Sequence, residues 1–206
     1  VLVENFRPGV MERLGLGFEK LKEINPQLVY CAISGFGQDG PLRDSPAYDQ
    51  IIQGLSGTMS VTGTDDSGPL RVGFPMSDTI GGITAALGIT ASLSQPKREA
   101  VFIDVSMLES TMATMGWIIS NYLSAGIDPQ RMGNENFTSA PSGAFQTGSG
   151  LLNIAANKQE QYEILCGLLE REDLVNHPDF ISRELRKQNR EKLKEEIGRA
   201  SCRERV

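Results

Sequence analysis

Residues 28–36, LVYCAISGF, form one continuous apolar run rich in aromatic and branched side chains. A run that does not alternate with polar residues predicts a strand covered on both faces, and such strands belong to parallel sheets with helices on either side. Val1–Val3 reads as the end of another buried strand, with partners expected upstream, and KREAVFIDVS (97–106) predicts a third, centred on Val101 to Val105. Helical stretches separate these runs. The expected fold is therefore α/β, with a parallel sheet as its frame.

The connecting segments follow ordinary start and stop signals. In ENFRPGVMERLGLG a loop through Arg7-Pro8-Gly9 leads into a short helix closed by Gly15 and Gly17, and FEKLKEINPQ adds a helix that stops at Asn25-Pro26. GQDGPLRDSP and TGTDDSGPLRVG are loops by their Gly, Pro and Asp content. Between them AYDQIIQGLSG predicts a helix whose apolar face is Tyr48, Ile51, Ile52 and Leu55. From Asp78, TIGGITAALGITASL predicts a long helix; its small residues cost helix propensity, so close packing against a neighbour is expected. MLESTMATMGWIISNYLSAG reads as one helix ended by Gly126. RMGNENFTSAPSG is a polar linker or site loop, AFQTGSGLLNIAA a hairpin, and KQEQYEILCGLLE and RKQNREKLKEE helices of a second, smaller unit.

At 206 residues the chain fits one domain and a fraction. A formal charge of −6 argues against a nucleic-acid partner, which needs a basic face. Cys31, Cys166 and Cys202 show neither metal-ligand spacing nor an even-numbered framework, so no metal is expected and a reducing, cytoplasmic setting fits. The apolar stretches stop short of the roughly 20 residues a membrane span needs. Both ends read as cut. The last segment, EIGRASCRERV, departs from the helical pattern before it and resembles a translated sequencing adapter, so 197–206 is expected to be a non-native tail.

The chemistry concentrates around one acid. In GFPMSDTIGGITAAL (73–87), Asp78 precedes a helix and reads as its N-cap. A first-turn carboxylate is also favoured in its ionised form by the helix dipole, and an ionised carboxylate can attack a thioester carbonyl. Gly81 and Gly82 would let an acyl group approach the backbone. Asn5, Phe6 and Arg7, with Arg13 one helix turn on, offer an amide, a stacking face and two guanidiniums, a grip suited to a phosphorylated purine ligand or equally a solvated surface loop. Tyr48-Asp49 reads either as a substrate contact or as a capped helix start with a core tyrosine. Asp104 reads as a structural acid at a strand end, and His177, the only histidine, as a surface turn residue. The chain contains no phosphate loop and no GxGxxG, GxSxG or HExxH pattern.

Taken in order, VLVENFRPGVMERLGLG, INPQLVYCAISGFGQDGP, AYDQIIQGLSGTMSVTG, and RVGFPMSDTIGGITAALGI followed by IDVSMLES resemble the class III CoA-transferases, the CaiB/BaiF family. The resemblance runs from Val1 to about Glu196. It implies that Asp78 is the catalytic nucleophile, that Asn5, Phe6, Arg7 and Arg13 line the CoA nucleotide site, and that Ala47 and Tyr48 lie near the pantetheine and thioester. It implies CoA as substrate, with no permanently bound cofactor and no metal, and acyl-CoA and carboxylic acid as reaction partners. Amides near Gly35 to Gly40 and the glycines after Asp78 are candidates to hold the developing oxyanion. The implied fold is a partial Rossmann-like large domain with a linker and the start of a small α+β domain, in a full-length protein that forms an interlocked homodimer. The expected boundaries are 1–127 for the large domain, 128–140 for the linker and 141–196 for the small domain. The same family includes α-methylacyl-CoA racemases, whose histidine and glutamate are replaced here by Tyr48 and Gln146. An inactive truncated fragment is the remaining alternative. KREAVFID departs from the Gly-Lys-Gly-Gln approach usual in that strand.

Overall fold

The computed structural model describes residues 1–97, 99–148 and 150–201. The chain divides into two compact units, Val1–Arg131 and Met132–Val206. Cys202 and the rest of 202–206 lie outside the described residues.

The first unit is built on a three-stranded parallel sheet in the order β1 (Leu2–Glu4), β2 (Val29–Ser34), β3 (Val101–Ser106), with Leu2 beside Tyr30 and Val29 beside Val101. Between β1 and β2 run α1 (Val10–Arg13) and α2 (Phe18–Ile24); between β2 and β3 run α3 (Asp49–Leu55), α4 (Thr58–Val61) and α5 (Met76–Leu93). Successive strand residues face opposite ways. On β2, Tyr30 and Ala32 therefore join Met11 and Leu28 in one core cluster, packed by Phe18 and Leu21 of α2. Cys31 faces the other way and joins Ala85 of α5 and Val105. That double burial explains the unbroken apolar run. In this chain β1 lies at the edge of the sheet, with Val3 at 53% exposure.

The small residues of α5 are used as expected. A Cβ at Gly81 would come within 3.2 Å of Met107 Cγ, and one at Gly88 within 3.3 Å of Ile103 Cγ2, so sheet and following helix press directly on the α5 backbone. Two helices replace the single one expected after β3: α6 (Met107–Thr114) and α7 (Gly116–Ala125). Gly116 at φ 28° breaks the line, a conformation only glycine adopts freely.

The second unit pairs β4 (Ser142–Thr147) with β5 (Gly150–Ala155) as the expected hairpin, followed by α8 (Gln159–Leu168), a 3₁₀ turn at Glu172–Leu174, α9 (Arg183–Gln188) and α10 (Arg190–Ser201). Its core gathers Phe145, Tyr162, Cys166, Leu174, Phe180, Leu193 and Ile197. Arg186, only 1% exposed, lies 4.2 Å over the Tyr162 ring and donates to the Ala140 and Phe180 carbonyls and Gln159 Oε1. Two departures stand out. RKQNREKLKEE is split at Asn189, and the second helix continues through Ser201 with Ile197 fully buried, past the point where the helical pattern was expected to stop. Within this unit the loop after Met132 is held to α10: Arg190 donates to the Asn136 and Phe137 carbonyls, and Lys194 pairs with Glu135 at 2.9 Å.

Candidate active site

A cleft of about 480 Å³ opens in the first unit where all three strands end. Asn5 follows β1, Ile33 to Gly35 close β2, and Met107 follows β3, so the cleft lies outside the carboxyl ends of a parallel sheet, the usual ligand position in open α/β folds. Asn5 Nδ2 donates to the Ile33 carbonyl at 2.7 Å and so ties the ends of β1 and β2 together.

The cleft brings together Asn5, Phe6, Arg7, Ala47, Tyr48 and Asp78. Arg13 does not line it. That side chain is exposed at the last turn of α1, beside Gly9. Tyr48 is 78% exposed at the start of α3 and is not the core tyrosine that one reading expected. Gly82 faces the cleft with open space where a Cβ would stand, whereas Gly81 is consumed by packing on Met107.

Asp78 does not cap its helix. The N-cap position of α5 is Pro75, which makes no side-chain cap bond, and Asp78 sits on the first turn. The acceptor comes from α3: Asp49 Oδ1 accepts from the Ser77 amide at 2.7 Å and from the Asp78 amide at 3.4 Å. The backbone donors of α5 are met by another residue's carboxylate, which leaves the Asp78 carboxylate exposed at the cleft. Partial burial pushes the Asp78 carboxyl above the ordinary aspartate value, and the Asp49 carboxylate adds to the rise. The helix dipole was expected to favour the ionised form; burial and the neighbouring like charge act in the opposite direction.

Asp49 is itself held. Its Oδ2 accepts from Gln53 Nε2 at 2.7 Å, and fully buried Gln53 also accepts from the Val72 amide at 2.8 Å and donates to the Phe74 carbonyl at 3.3 Å. The buried side of α3 therefore includes a glutamine, while Tyr48, Ile51 and Leu55 of the expected apolar face are exposed. Arg43 also lines the cleft and was missed, because its loop was read only for its turn residues. Proline stands where α5 needs an acceptor side chain, and the acceptor comes instead from the aspartate that opens α3.

Two loop amides proposed for an oxyanion are already engaged. Gly37 donates to Ser34 Oγ at 3.0 Å and Gln38 to Asp104 Oδ2 at 2.9 Å. Asp104 thus anchors a loop, from within β3 and not from its end. His177 stacks on Phe180 at 4.7 Å between centroids, and its Nδ1 accepts from the Asp179 amide. Gln146 lies on the β4 hairpin and donates to the Thr147 carbonyl. Among the described residues no helix is long and apolar enough to cross a membrane, and no cluster of three metal-ligating side chains forms.

Comparison with known proteins places these features in a wider set. The model of CoA-transferase family III matches residues 1–205. An acetyl-CoA:oxalate CoA-transferase of Acetobacter aceti is 39% identical over 97% of this chain and 52% of its own length. A succinyl-CoA:glutarate CoA-transferase of Mus musculus is 36% identical over 94% of this chain and 45% of its own. The crystal structure of a CaiB/BaiF family protein from Brucella suis superposes with a TM-score of 0.84 at 32% identity, covering 97% of this chain and 53% of that one. The chain spans about half the length of the relatives it matches.

Proposed function

The chain belongs to CoA-transferase family III, and from that premise we propose that it moves coenzyme A from an acyl-CoA donor to an acceptor carboxylic acid, with Asp78 as the nucleophile. The observation that carries this reading is the Asp78 carboxylate standing in the strand-end cleft while Asp49 does the capping. A carboxylate engaged as a cap would have its lone pairs committed; this one does not.

An ionised Asp78 oxygen attacks the thioester carbonyl of the donor; the carbon–sulfur bond breaks and the CoA thiolate leaves, giving a mixed anhydride. The thiolate then attacks the Asp78 carbonyl, releasing the donor acid and leaving an aspartyl-CoA thioester. The acceptor carboxylate attacks that thioester, and the freed thiolate attacks the acceptor carbonyl of the new anhydride. Acceptor acyl-CoA leaves, and Asp78 returns as a carboxylate. No net proton is consumed, so no dedicated acid or base is needed. Arg7 and Arg43 supply the local positive charge that an anionic ligand requires on an acidic chain, and Phe6, 52% exposed, offers a face for the purine. Arg13 would meet only the outer part of a bound nucleotide.

Transfer is preferred over racemisation because the racemase histidine is replaced by Tyr48, and tyrosine is a poor base near neutral pH. Relatives named for oxalate and glutarate make a small carboxylic acid the acceptor class to try first. The test is to incubate the intact protein with acyl-CoA and hydroxylamine and to map the adduct by peptide mass. A hydroxamate on the peptide holding Asp78 is expected. A trapped adduct on any other residue, or turnover with none at all, would remove Asp78 from this role.

A further inference from the structure

We propose that Gln53 and Asp49 form a positioning relay for Asp78: Gln53 pins the 72–74 segment and orients Asp49, and Asp49 caps the first turn of α5 in place of Asp78. The inference rests on the nucleophile reading above and adds the residues that make it work.

Three observations carry it. Gln53 is fully buried, and both ends of its amide are used: Oε1 takes the Val72 amide, while Nε2 is shared between Asp49 Oδ2 and the Phe74 carbonyl. A buried amide satisfied at both ends allows one orientation, so the Asp49 carboxylate it holds is fixed as well. Asp49 then spans from α3 to the Ser77 and Asp78 amides, 28 and 29 residues along the chain. Finally, Val72 and Phe74 lie immediately before α5, so the same glutamine sets both the approach to Asp78 and the group that caps its turn.

The relay has an electrostatic side. Asp49 faces Asp78 from α3 and raises its proton affinity, after the larger contribution of burial. Arg7 and Arg43 also line the cleft wall, and neither is among the charges that shift Asp78. Of the other elements packed on α5, β3 carries Asp104, which accepts from the Gln38 amide, and α6 carries Glu109; neither is among the charges that shift Asp78. A nucleophile less acidic than a free aspartate is the better attacking group once ionised, so Asp49 tunes reactivity as well as position.

The test reads Asp78 directly, by carbon NMR titration of aspartate carboxyls in the intact protein, with Asp78→Asn identifying the signal. Asp49→Asn keeps an oxygen for the Ser77 amide but removes the charge, and the Asp78 midpoint is expected to fall. Gln53→Glu keeps the acceptor for Val72 but sets a carboxylate against Asp49, and the midpoint is expected to rise, with transfer slowed about 10²-fold by the displaced approach segment. A purely structural role would not move the two variants in opposite directions. Midpoints equal to wild type in both would overturn the relay; should Gln53→Glu not fold, an unmoved midpoint in Asp49→Asn overturns it alone. Because the titration needs no turnover, a wild type that never acylates Asp78 would defeat the nucleophile reading and leave this result readable.

Discussion

At the scale of single residues, two buried polar side chains do work that apolar ones could not. Gln53 organises the approach to Asp78. Arg186 organises the second unit by donating to two main-chain carbonyls and one glutamine oxygen over the Tyr162 ring. Burial lowers the proton affinity of its guanidinium, the direction expected for a desolvated cation. Arg186→Leu would leave the Ala140 and Phe180 carbonyls buried without that donor, at about 1–3 kcal/mol each. A loss of about 2–5 kcal/mol in urea unfolding is therefore expected, and Lys should not restore it because a single ammonium cannot reproduce the planar fork. A loss below about 0.5 kcal/mol would mean that water or rearrangement satisfies those carbonyls. Neither residue was legible in the sequence. Amphipathic spacing finds apolar positions, and a buried polar group is defined by partners far along the chain: 19 residues from Gln53 to Val72 and 46 from Arg186 to Ala140.

At the scale of elements, α5 holds Asp78 and also shows how packing and function divide adjacent positions. Gly81 touches Met107, whereas Gly82 opens on the cleft. Alanine in a helix interior gains roughly 0.5–1 kcal/mol over glycine. Gly82→Ala should raise the melting temperature on that account, while Gly81→Ala should gain less or lose, since the Met107 side chain must give way at 3.2 Å. Equal gains in both would show that α5 is not pressed as described. What the sequence revealed here follows from local signals: the small-residue run of α5, the unbroken apolar run of β2 and the turn residues before each element all depend on near neighbours. The break at Gly116 and the split at Asn189 were hidden inside periodic stretches. The cap of α5 came from another helix, which no inspection of the Asp78 neighbourhood alone would find.

At the scale of the whole molecule, a three-stranded parallel sheet sets three strand ends side by side and so assembles a cleft from segments spread between Asn5 and Met107. The family and the α/β frame were legible because the motifs follow one another in order along the chain. The separation into units at Arg131 and Met132 depends on which segments pack together, as the loop at Glu135 to Phe137 does onto α10. The central claim is that oxygen atoms pass through Asp78. Turnover of the intact protein with an acceptor acid labelled in both carboxylate oxygens with oxygen-18, followed by peptide mass analysis, tests it most directly. The two-anhydride route predicts that one labelled oxygen remains on the peptide containing Asp78 and the other leaves in the product thioester. Label found only in the released acids and thioesters, with the Asp78 peptide unlabelled after many turnovers, would contradict the account.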